Sequence, residues 1–517
     1  MRIGPWSGGL NIYSDQSAVN DEDAVEITNF DVDIDGSLKS RTPIVNIPGA
    51  GIRYATRILG IYNHPNGNSY FIFSATDSAG LNPSTNAYRI NDATMITITT
   101  TFAATAMVQY QNKAWLVSSP DQANNGGSWD SSVFTAVATQ PKGISACVYK
   151  EQIYIATGEK SANPAQVYFS VSGKPTSWTN TVEGDNSGSF LAGNGDGEAI
   201  RKIYSYAGSV LVLKTRSTYV FAYESEPSKG QVQSISSTVG VDGTDCMCEN
   251  DSTIYVLSSN ELYAMSNWIF ERLNIKVPFA FIDTHATLWH NYHSVFAMGD
   301  KVVTRYYDMY YVYNVKTQTF SQWKTSLTPD FFVESPIIDT GTGITTFYAG
   351  SYLKATAGAA SNALFRMKDH HTATDKETFD CVLRTKVYNM NLPYAFKRMM
   401  WWGVDLLAKS NVSVTVIPIT YGVPVYWKDL PPRTWAQMPP GTWGSPLDVI
   451  LTIDDNADIK NSRNIRMFVR YIKSLRFRQI QYVLSSTVDG STDTGPLQVY
   501  SVTAYIVDKQ LVPKKIN

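Results

Sequence analysis

Met107–Val117 reads MVQYQNKAWLV, and three further segments align with it without gaps. They are Ala146–Ala156 (ACVYKEQIYIA), Ile203–Leu213 (IYSYAGSVLVL) and Met247–Leu257 (MCENDSTIYVL). Each segment predicts a strand, a pivot residue, a three-residue polar turn and a second apolar strand. The pivots are Tyr110, Tyr149, Tyr206 and Asn250. The chain is therefore built from a repeated β-hairpin unit.

Looser copies of the unit surround Tyr62 and Tyr292, and the distance between successive pivots ranges from 39 to 57 residues. Such a period is typical of a β-propeller blade of four short strands, because one blade cannot bury both faces until its neighbours pack against it. A further unit around Pro336–Ser351, with Thr345–Gly350 as its strand, would be the seventh. The sequence predicts an all-β propeller with six or seven irregular blades.

The composition agrees with a β-rich protein. Of the 517 residues, 17% are charged, against about 25% in an average globular protein. Tyr (31), Phe (21) and Trp (12) are abundant, and the formal net charge is −2. Aromatic residues fit a pleated, half-buried sheet, whereas a near-neutral total disfavours a protein with a basic, nucleic-acid-binding body. We expect the four cysteines, Cys147, Cys246, Cys248 and Cys381, to be buried thiols.

The N-terminal sequence MRIGPWSGG lacks the apolar segment of a signal peptide. No window reaches the length of apolar sequence that crosses a bilayer. We therefore expect a protein made in the cytoplasm of its host, with no membrane-spanning segment.

Tryptophans follow turns in several of the repeat units. We expect these residues, Trp129, Trp178 and Trp323, to pack each blade on the next one.

Three regions follow from this pattern. Residues 1–50 form an extended N-terminal segment with a short helix, Asp21–Ile27, and a hairpin at Asp35-Gly36; we expect this segment to pack on the C-terminal domain. Residues 51–377 form the propeller. Residues 378–517 form a C-terminal β-sandwich, predicted from long apolar strands. The predicted strands are Thr378–Tyr388, Arg398–Leu407, Val412–Ile417, Ile465–Ile472, Leu475–Leu484 and Leu497–Val507.

A Pro/Trp-rich insertion at 422–446 interrupts the sandwich. Its prolines exclude a central strand, so we predict an ordered arm that lies either on its own domain or on a neighbouring subunit. Trp427, Trp435 and Trp443 are the candidate contact residues of this arm.

Charge is unevenly distributed along the chain. Ile3–Leu38 contains eight acidic residues and no Lys or Arg, whereas Lys460–Leu484 contains seven basic residues and no acid. Complementary segments of this kind can set register between subunits, although two solvated faces would give the same pattern. The candidate subunit-interface residues are Asp21, Glu22, Asp23 and Glu26 on the acidic side and Arg466, Arg470, Arg476 and Arg478 on the basic side.

The sequence contains only incomplete matches to metal-binding and catalytic motifs. Asp31, Asp33, Asp35 and Gly36 match the start of an EF-hand calcium loop, but Thr42 occupies the position of the bidentate Glu. Ser170–Trp178 faintly resembles the Asp-box turn of sialidases, with Ser172 at the position of the aspartate. No pair of catalytic carboxylates can be singled out. We therefore predict no enzyme, no catalytic residues, no cofactor and no metal, with a carbohydrate-binding or glycoside-cleaving propeller as the alternative.

Several short motifs resemble phage tail structural proteins of the nozzle type, also called tail tubular protein B. At the N-terminus they are Gly8-Gly9-Leu10-Asn11 and the run from Asn29 to Arg41. In the propeller they are Val167–Ser170 with Pro175–Trp178, and Tyr310–Asn314 with Phe320–Trp323. Near the C-terminus the matching segment is Phe477–Tyr482. Together they cover most of the chain in outline.

This resemblance implies a non-enzymatic virion protein of the tail. Its subunits would form a homo-oligomeric ring, a hexamer, attached to tail adaptor or portal-proximal proteins. The ring would be a channel for ejection of double-stranded DNA and a platform for tail fibres. Nozzle, hub and head–tail stabilising protein remain alternatives, since the chain is shorter than the large nozzles. A ring closed by head-to-tail contacts needs two different complementary patches on each subunit.

Overall fold

The computed structural model describes residues 2–12, 18–47, 55–75, 82–90, 92, 94–179, 186–193, 196–224, 226–279, 293–306, 309–325, 331–334, 345–350, 364–368, 377–388, 397–407, 412–419, 449–453, 466–477, 479–489 and 497–508. Within these ranges the regular structure consists of strands and one turn of 3₁₀ helix at Pro227–Lys229.

Six short strands form the N-terminal segment. They are β1 (Arg2–Ile3), β2 (Gly9–Leu10), β3 (Asp23–Thr28), β4 (Phe30–Val32), β5 (Leu38–Ser40) and β6 (Ile44–Asn46).

The next 27 strands form antiparallel blades, numbered in chain order. Blade 1 has β7 (Ala55–Asn63), β8 (Ser69–Ala75), β9 (Ser84–Arg89) and β10 (Thr94–Thr99). Blade 2 has β11 (Ala104–Tyr110), β12 (Lys113–Ser118), β13 (Gly127–Trp129) and β14 (Phe134–Ala136). Blade 3 has β15 (Ser145–Tyr149), β16 (Gln152–Ala156), β17 (Gln166–Phe169) and β18 (Gly188–Leu191). Blade 4 has β19 (Ile200–Tyr206), β20 (Ser209–Lys214), β21 (Thr218–Ala222) and β22 (Gln231–Ser236).

Blade 5 has β23 (Met247–Asn250), β24 (Thr253–Ser258), β25 (Glu261–Ser266) and β26 (Ile269–Arg272). Blade 6 has β27 (His293–Met298), β28 (Lys301–Tyr306), β29 (Met309–Asn314) and β30 (Thr319–Trp323). Blade 7 has β31 (Phe331–Glu334), β32 (Thr346–Gly350) and β33 (Leu364–Lys368), and its fourth strand is β6 from the N-terminal segment.

The remaining strands belong to the C-terminal region. They are β34 (Thr378–Thr385), β35 (Lys397–Leu407), β36 (Val412–Ile419), β37 (Val449–Ile453), β38 (Arg466–Phe477), β39 (Gln479–Asp489) and β40 (Gln498–Asp508).

The protein is a seven-bladed β-propeller, which resolves the choice between six and seven blades. The innermost strand is the first of each blade, and β31 and β32 of blade 7 contact β7 of blade 1, so the ring is closed. β6 pairs with β33 through Ile44, Val45 and Asn46. The last blade is thus completed by residues that precede the first blade in sequence.

The repeated hairpin of the sequence is the first hairpin of each blade. In the four aligned segments the turn has two residues rather than the three that the sequence suggested, as where Tyr110 pairs directly with Lys113. Both turn residues, Gln111 and Asn112, have positive φ, at 48° and 57°. This geometry matches the right-handed twist of the flanking strands. In blade 6 the pivot position belongs to Met298, which pairs with Lys301, so the assignment of that pivot to Tyr292 was wrong.

The pivot side chains join neighbouring blades. In blades 1 to 5 the pivot donates a hydrogen bond to a backbone carbonyl in the first hairpin turn of the following blade, on the face that we call the lower face. The bonds are Tyr62 to Asn112 (2.5 Å), Tyr110 to Glu151 (2.9 Å), Tyr149 to Gly208 (2.6 Å), Tyr206 to Ser252 (2.7 Å) and Asn250 to Gly299 (2.9 Å). The repeat is therefore a chain of contacts from blade 1 to blade 6.

We expect Tyr149→Phe to lower the free energy of unfolding by about 1 kcal/mol, because it removes one partly buried hydrogen bond and leaves the Gly208 carbonyl without that donor. Tyr110→Phe removes a solvent-exposed bond of the same kind and should cost less. Urea denaturation of both variants measures the difference. Equal stability of Tyr149→Phe and the wild type would contradict a role of the pivots in holding blades together.

The three turn-following tryptophans are buried, with 1%, 7% and 1% of Trp129, Trp178 and Trp323 exposed. Trp129 packs edge-on against Tyr70 of the preceding blade, at 5.1 Å between ring centroids, and Trp178 shares a core cluster with Trp115 of the preceding blade. Trp323 shares its cluster with blade 7. The predicted packing on the next blade is thus correct for Trp323 and wrong in direction for the other two.

A β-sandwich forms the second domain. One sheet has the order β38-β35-β40-β5-β4, with β1 beside β40. The other sheet continues from blade 6 through β30-β3-β34-β39-β36-β37, with β2 beside β3. Buried side chains of both sheets, including Phe30, Leu38, Leu383, Tyr482 and Val499, belong to one core cluster. Propeller and sandwich therefore share a continuous sheet.

Three local predictions were wrong. Asp21–Ile27 is not a helix: residues 23–28 form β3, which pairs with β34, and the β-branched Val25, Ile27 and Thr28 suit that strand. In the hairpin after β4 only Gly36 has positive φ (75°), and Asp33 donates its N–H to the Ser37 carbonyl, so the turn is longer than two residues. The predicted strand Leu475–Leu484 is divided between β38 and β39.

A buried ion pair lies where the N-terminal segment, the propeller and the sandwich meet. Arg41 donates to both carboxylate oxygens of Glu377, at 2.8 and 2.9 Å, and neither side chain is more than 6% exposed. Glu377 also accepts the backbone N–H of Ile44 (2.6 Å) at the start of β6. The Arg41 guanidinium lies 4.0 Å from the centroid of the Phe379 ring. This arrangement links closure of blade 7 to the first strand of the sandwich.

Candidate functional site

The axial opening of the propeller holds a group of charged side chains on the face where the innermost strands begin, which we call the upper face. Arg57 lies near the start of β7 in blade 1, Lys202 near the start of β19 in blade 4, and Asp245 just before β23 in blade 5. Arg57 Nη2 lies 3.0 Å from Asp245 Oδ1. Because blades 1 and 5 are not neighbours in the ring, this pair spans the central channel. Arg57, Lys202 and Asp245 are called the axial cluster below.

Lys202 has an unusual environment within this cluster. Its side chain is half-buried, and desolvation lowers the pKa of its ammonium group, with Arg57 acting in the same direction and Asp245 opposing it. In the described part of the chain no acceptor forms a hydrogen bond with this ammonium group. A desolvated cation is costly, and Asp245 is the carboxylate that offsets part of this cost.

Two thiols lie close enough to Lys202 to affect its pKa, those of Cys147 and Cys246. Burial raises the pKa of Cys147 to about 12, and it raises that of Cys246 as well. Cys246 donates its thiol proton to the His293 carbonyl at 3.2 Å. Since the thiolate is the nucleophilic form, these thiols are unreactive at neutral pH. The predicted burial is confirmed for Cys147, Cys246 and Cys381, whereas Cys248 is half-buried.

The upper face around the cluster carries paired charges. Burial raises the pKa of Asp242, although its carboxylate accepts the backbone N–H groups of Ser259 (2.8 Å) and Asn260 (3.4 Å). Arg201 forms an ion pair with Glu159 at 2.5 Å. Titratable groups with shifted pKa values are concentrated at functional sites more often than elsewhere, which makes the axial opening the strongest candidate site in the propeller.

The acidic candidate interface residues are engaged within the same chain. Asp21 pairs with Lys386, Glu26 with Arg384 at 3.1 Å, and Glu22 accepts the Ser7 hydroxyl at 2.8 Å. Asp23 is 1% exposed and accepts from Asn11 (2.8 Å) and Lys276 (3.1 Å). Asp23 is therefore an internal residue, and its selection as a surface contact is corrected. The other three remain candidates.

Three of the four basic candidates lie on the strand at the end of the described order of their sheet. Arg466, Arg470 and Arg476 are on β38, whose described neighbour in the sheet is β35; the backbone of this strand is described and these side chains are not. Arg478 and the arm residues Trp427, Trp435 and Trp443 lie outside the described residues. Their proposed contacts remain predictions.

The segment that resembles the start of an EF-hand calcium loop makes structural contacts within the chain. Asp31 forms an ion pair with Lys301 and accepts the indole N–H of Trp323 at 2.8 Å. Asp33 and Asp35 accept backbone N–H groups of their own turn. Among the described residues no group of three or more His, Cys, Asp or Glu side chains is arranged to hold a metal ion.

The segment that resembles an Asp-box, Ser170–Trp178, follows the third strand of blade 3. Val171 and Lys174 form an isolated antiparallel β-bridge within it.

Comparison with known proteins concerns the fold. No protein-family model matches the sequence, and no curated protein matches it. The chain is similar to the solved structure of BamB from Moraxella catarrhalis, with 9% identity and a TM-score of 0.38 over 64% of this chain and 91% of that one. It is similar to the WD40 domain of Pan2 from Neurospora crassa, with 7% identity and a TM-score of 0.38 over 64% and 94%.

A fungal alcohol oxidase in complex with copper has 12% identity and a TM-score of 0.42, over 70% of this chain and 86% of that one. The assignment as a propeller rests on the seven four-stranded blades themselves. Within the described residues, no helix is long and apolar enough to cross a membrane.

The stability of the propeller should fall at low pH through carboxylates that accept hydrogen bonds. The backbone N–H of Val133 and the hydroxyl and N–H groups of Ser132 lower the pKa of Asp130 to about 2. For a carboxyl whose folded pKa is depressed, the stabilisation is present above the unfolded pKa, near about 3.9. It is lost as the pH falls through the folded pKa.

We therefore expect the free energy of unfolding to decrease between about pH 4 and pH 2. Asp130→Asn keeps an oxygen acceptor in the turn and should reduce the slope in this range. Urea midpoints at several pH values compare the two proteins. A variant whose pH profile runs parallel to that of the wild type would contradict the assignment to Asp130.

Proposed function

We propose that this chain is a non-enzymatic structural subunit of a phage tail, a nozzle or hub, whose copies form a ring around the path of ejected DNA. The same proposal places the protein in the virion tail, in contact with adaptor or portal-proximal proteins and with tail fibres. The single observation that carries it is the continuous sheet, in which β3 lies between β30 of blade 6 and β34 of the sandwich.

A shared sheet supports this function because it removes the hinge between two domains. One pair, Thr28 with Gln322, joins β3 to blade 6, and four pairs, including Ile27 with Leu383, join the same six-residue strand to the sandwich. The buried Arg41–Glu377 pair adds a second tie at the same junction. A ring subunit that must keep its shape while DNA passes needs such a rigid body.

The axial cluster bears on the route of the DNA. The Arg57–Asp245 pair spans the channel of the propeller, and duplex DNA is far wider than such a bridged opening. A DNA channel would therefore have to lie between subunits, at the centre of a ring. The small net charge of −2 suits transit, because tight DNA binding requires many phosphate-neutralising cations.

Electron microscopy of the purified chain, with its mass in solution, tests the proposal. We expect rings with a central pore and a mass that is a multiple of 57.4 kDa. In the double variant Arg470→Glu, Arg476→Glu, the basic strand carries reversed charge, and ring formation should be reduced. Arg216→Glu with Lys229→Glu, two exposed residues of the propeller, is the matched control.

A protein that stays monomeric at all concentrations would count against the ring. If that monomer also bound ligands on a glycan array, the carbohydrate-binding alternative would replace the proposal. Rings that assemble equally well after charge reversal would keep the structural role but remove β38 from the interface.

A further inference from the structure

A lysine, an aspartate and an asparagine meet where the N-terminal segment contacts the propeller. Asn11 follows β2, Asp23 begins β3, and Lys276 lies in the connection between blades 5 and 6. Asp23 accepts a hydrogen bond from Asn11 Nδ2 at its Oδ2 (2.8 Å) and from Lys276 Nζ at its Oδ1 (3.1 Å). Lys276 Nζ also lies 3.4 Å from Oδ2. The amine and the side-chain amide are thus both in contact with the same carboxylate oxygen.

The backbone holds both ends of this contact in place. Asn11 donates its N–H to the Ala24 carbonyl at 2.8 Å, and Ile12 donates its N–H to the Lys276 carbonyl at 3.1 Å. Val277, the residue after the lysine, is fully buried. Because these contacts do not involve the three side chains, the lysine and the asparagine stay beside each other whether or not their ion pair and hydrogen bond are formed.

The carboxylate and the amide are buried, whereas the lysine is half-exposed. Asp23 and Asn11 are 1% and 5% exposed, and the side chain of Lys276 is 49% exposed. A Cβ atom at Gly8 would lie 1.8 Å from Asp23 Oδ1, so glycine at this position allows the carboxylate to pack against the backbone. The asparagine is therefore the fixed partner and the lysine the mobile one. A carboxylate that contacts both nitrogens is in position to carry a proton between them.

We propose that this group is a site of spontaneous cross-linking, in which Lys276 and Asn11 form an isopeptide bond with Asp23 as the proton carrier. The carboxylate takes a proton from the ammonium group, and the neutral amine attacks Cγ of Asn11. The Cγ–Nζ bond forms and the Cγ–Nδ2 bond breaks, while Asp23 returns the proton to Nδ2. The departing ammonia takes a further proton from Nζ and leaves as ammonium. Charge is conserved, and the reaction needs no oxidant or other reactant.

The isopeptide bond ties the N-terminal segment covalently to the propeller. Asn11 directly follows β2, which pairs with β3 in the sheet that continues into the sandwich. A covalent link here keeps this segment in place when its strand pairs open, and it restricts the unfolded chain by closing a long loop. The bond forms within one chain, so this inference does not depend on the proposed ring.

Mass spectrometry of the intact chain under denaturing conditions tests the proposal. After incubation at about pH 9, where more of the lysine is the neutral nucleophile, we expect the wild type to have lost the mass of one ammonia molecule. Trypsin should then release residues 3–39 joined to residues 273–301 as one branched peptide, because the modified Lys276 is no longer a cleavage site. A succinimide formed at an asparagine also releases ammonia, but it joins no two peptides.

Three variants identify the reacting groups. Lys276→Arg keeps a positive charge beside Asp23 but has no nucleophilic amine, so it should have the full mass of its sequence and give no branched peptide. Asp23→Asn keeps the shape of the side chain and removes the proton carrier, and the bond to Asn11 should form about a hundredfold more slowly. Lys316→Arg, at an exposed lysine paired with Asp300, is the matched control and should react as the wild type. The proposal is overturned if the wild type yields no branched peptide, or if Asp23→Asn forms it at the wild-type rate.

Discussion

Replacing Glu377 with glutamine is expected to lower the free energy of unfolding by about 3–5 kcal/mol, because it leaves the guanidinium of Arg41 buried without its counter-charge. Arg41 is 0% exposed, and its other acceptors are neutral oxygens of Asn29, Thr42 and Lys324. None of them replaces a carboxylate. Guanidinium denaturation followed by tryptophan fluorescence measures the loss.

The position of the pair predicts which parts of the structure respond. Glu377 accepts the N–H of Ile44, at the first residue of β6, so the variant should weaken the closure of blade 7 as well as the domain junction. Hydrogen exchange should increase in β6 and β33 before it increases in blades 2 and 3. Asp300→Asn, which breaks the exposed pair with Lys316 (52% and 56% exposed), is the control and should change stability by less than about 1 kcal/mol. Equal stability of Glu377→Gln and this control would refute the argument.

The propeller could be predicted from sequence because its repeat is local. The first hairpin of a blade requires only a pivot residue, a polar turn and an apolar strand in succession. Four copies of this hairpin could therefore be aligned from the types of residue alone. Gly208, at a φ of 71°, and the polar residues at the equivalent turns tolerate the backbone conformation that these turns require. The strand predicted for the seventh repeat unit, Thr345–Gly350, was also placed correctly, because it corresponds to β32 of blade 7.

The N-terminal segment could not be predicted in the same way, because long-range pairing determines its structure. The acidic start of Asp21–Ile27 resembles the first turn of a helix. In the folded protein, however, β3 is held by β34, more than 300 residues later in the chain. Likewise, no pattern within Ile44–Asn46 indicates that it completes a blade whose other strands begin at Phe331. Tertiary pairing overrides local propensity at such positions.

The axial cluster was missed for a related reason. Arg57, Lys202 and Asp245 are isolated charged residues in three different units, and no motif connects them. A signal was present in the alignment of the repeats: each lies four or five residues before its pivot, Tyr62, Tyr206 or Asn250. Innermost strands that begin around one axis bring such positions together. A comparison of charged residues at equivalent positions of the repeat units would have found the site, whereas a search for charged residues close together in sequence does not.

Deleting residues 1–46 is expected to abolish folding of the propeller and the sandwich together. The deletion removes β6 from blade 7, β3 from the shared sheet, and β1 and β5 from beside β40. It also removes buried apolar side chains, among them Trp6, Leu10, Ile27, Phe30, Val32, Leu38 and Ile44. At about 1.5–3 kcal/mol each, their burial is comparable to the whole stability of a typical domain, about 5–15 kcal/mol.

The truncated chain should accumulate as insoluble protein, and the soluble remainder should lack a cooperative thermal transition in circular dichroism. Co-expression of residues 1–46 as a separate polypeptide should restore soluble protein, because the lost contacts are non-covalent strand pairs. Ile34→Ala, at a position that is 75% exposed at the tip of the β4–β5 hairpin, is the control and should leave the melting temperature unchanged. A truncated chain that remained soluble and melted near the wild-type temperature would show that the propeller closes without β6. In that case the continuous sheet could not be the basis of a rigid ring subunit, and the proposed function would lose its main support.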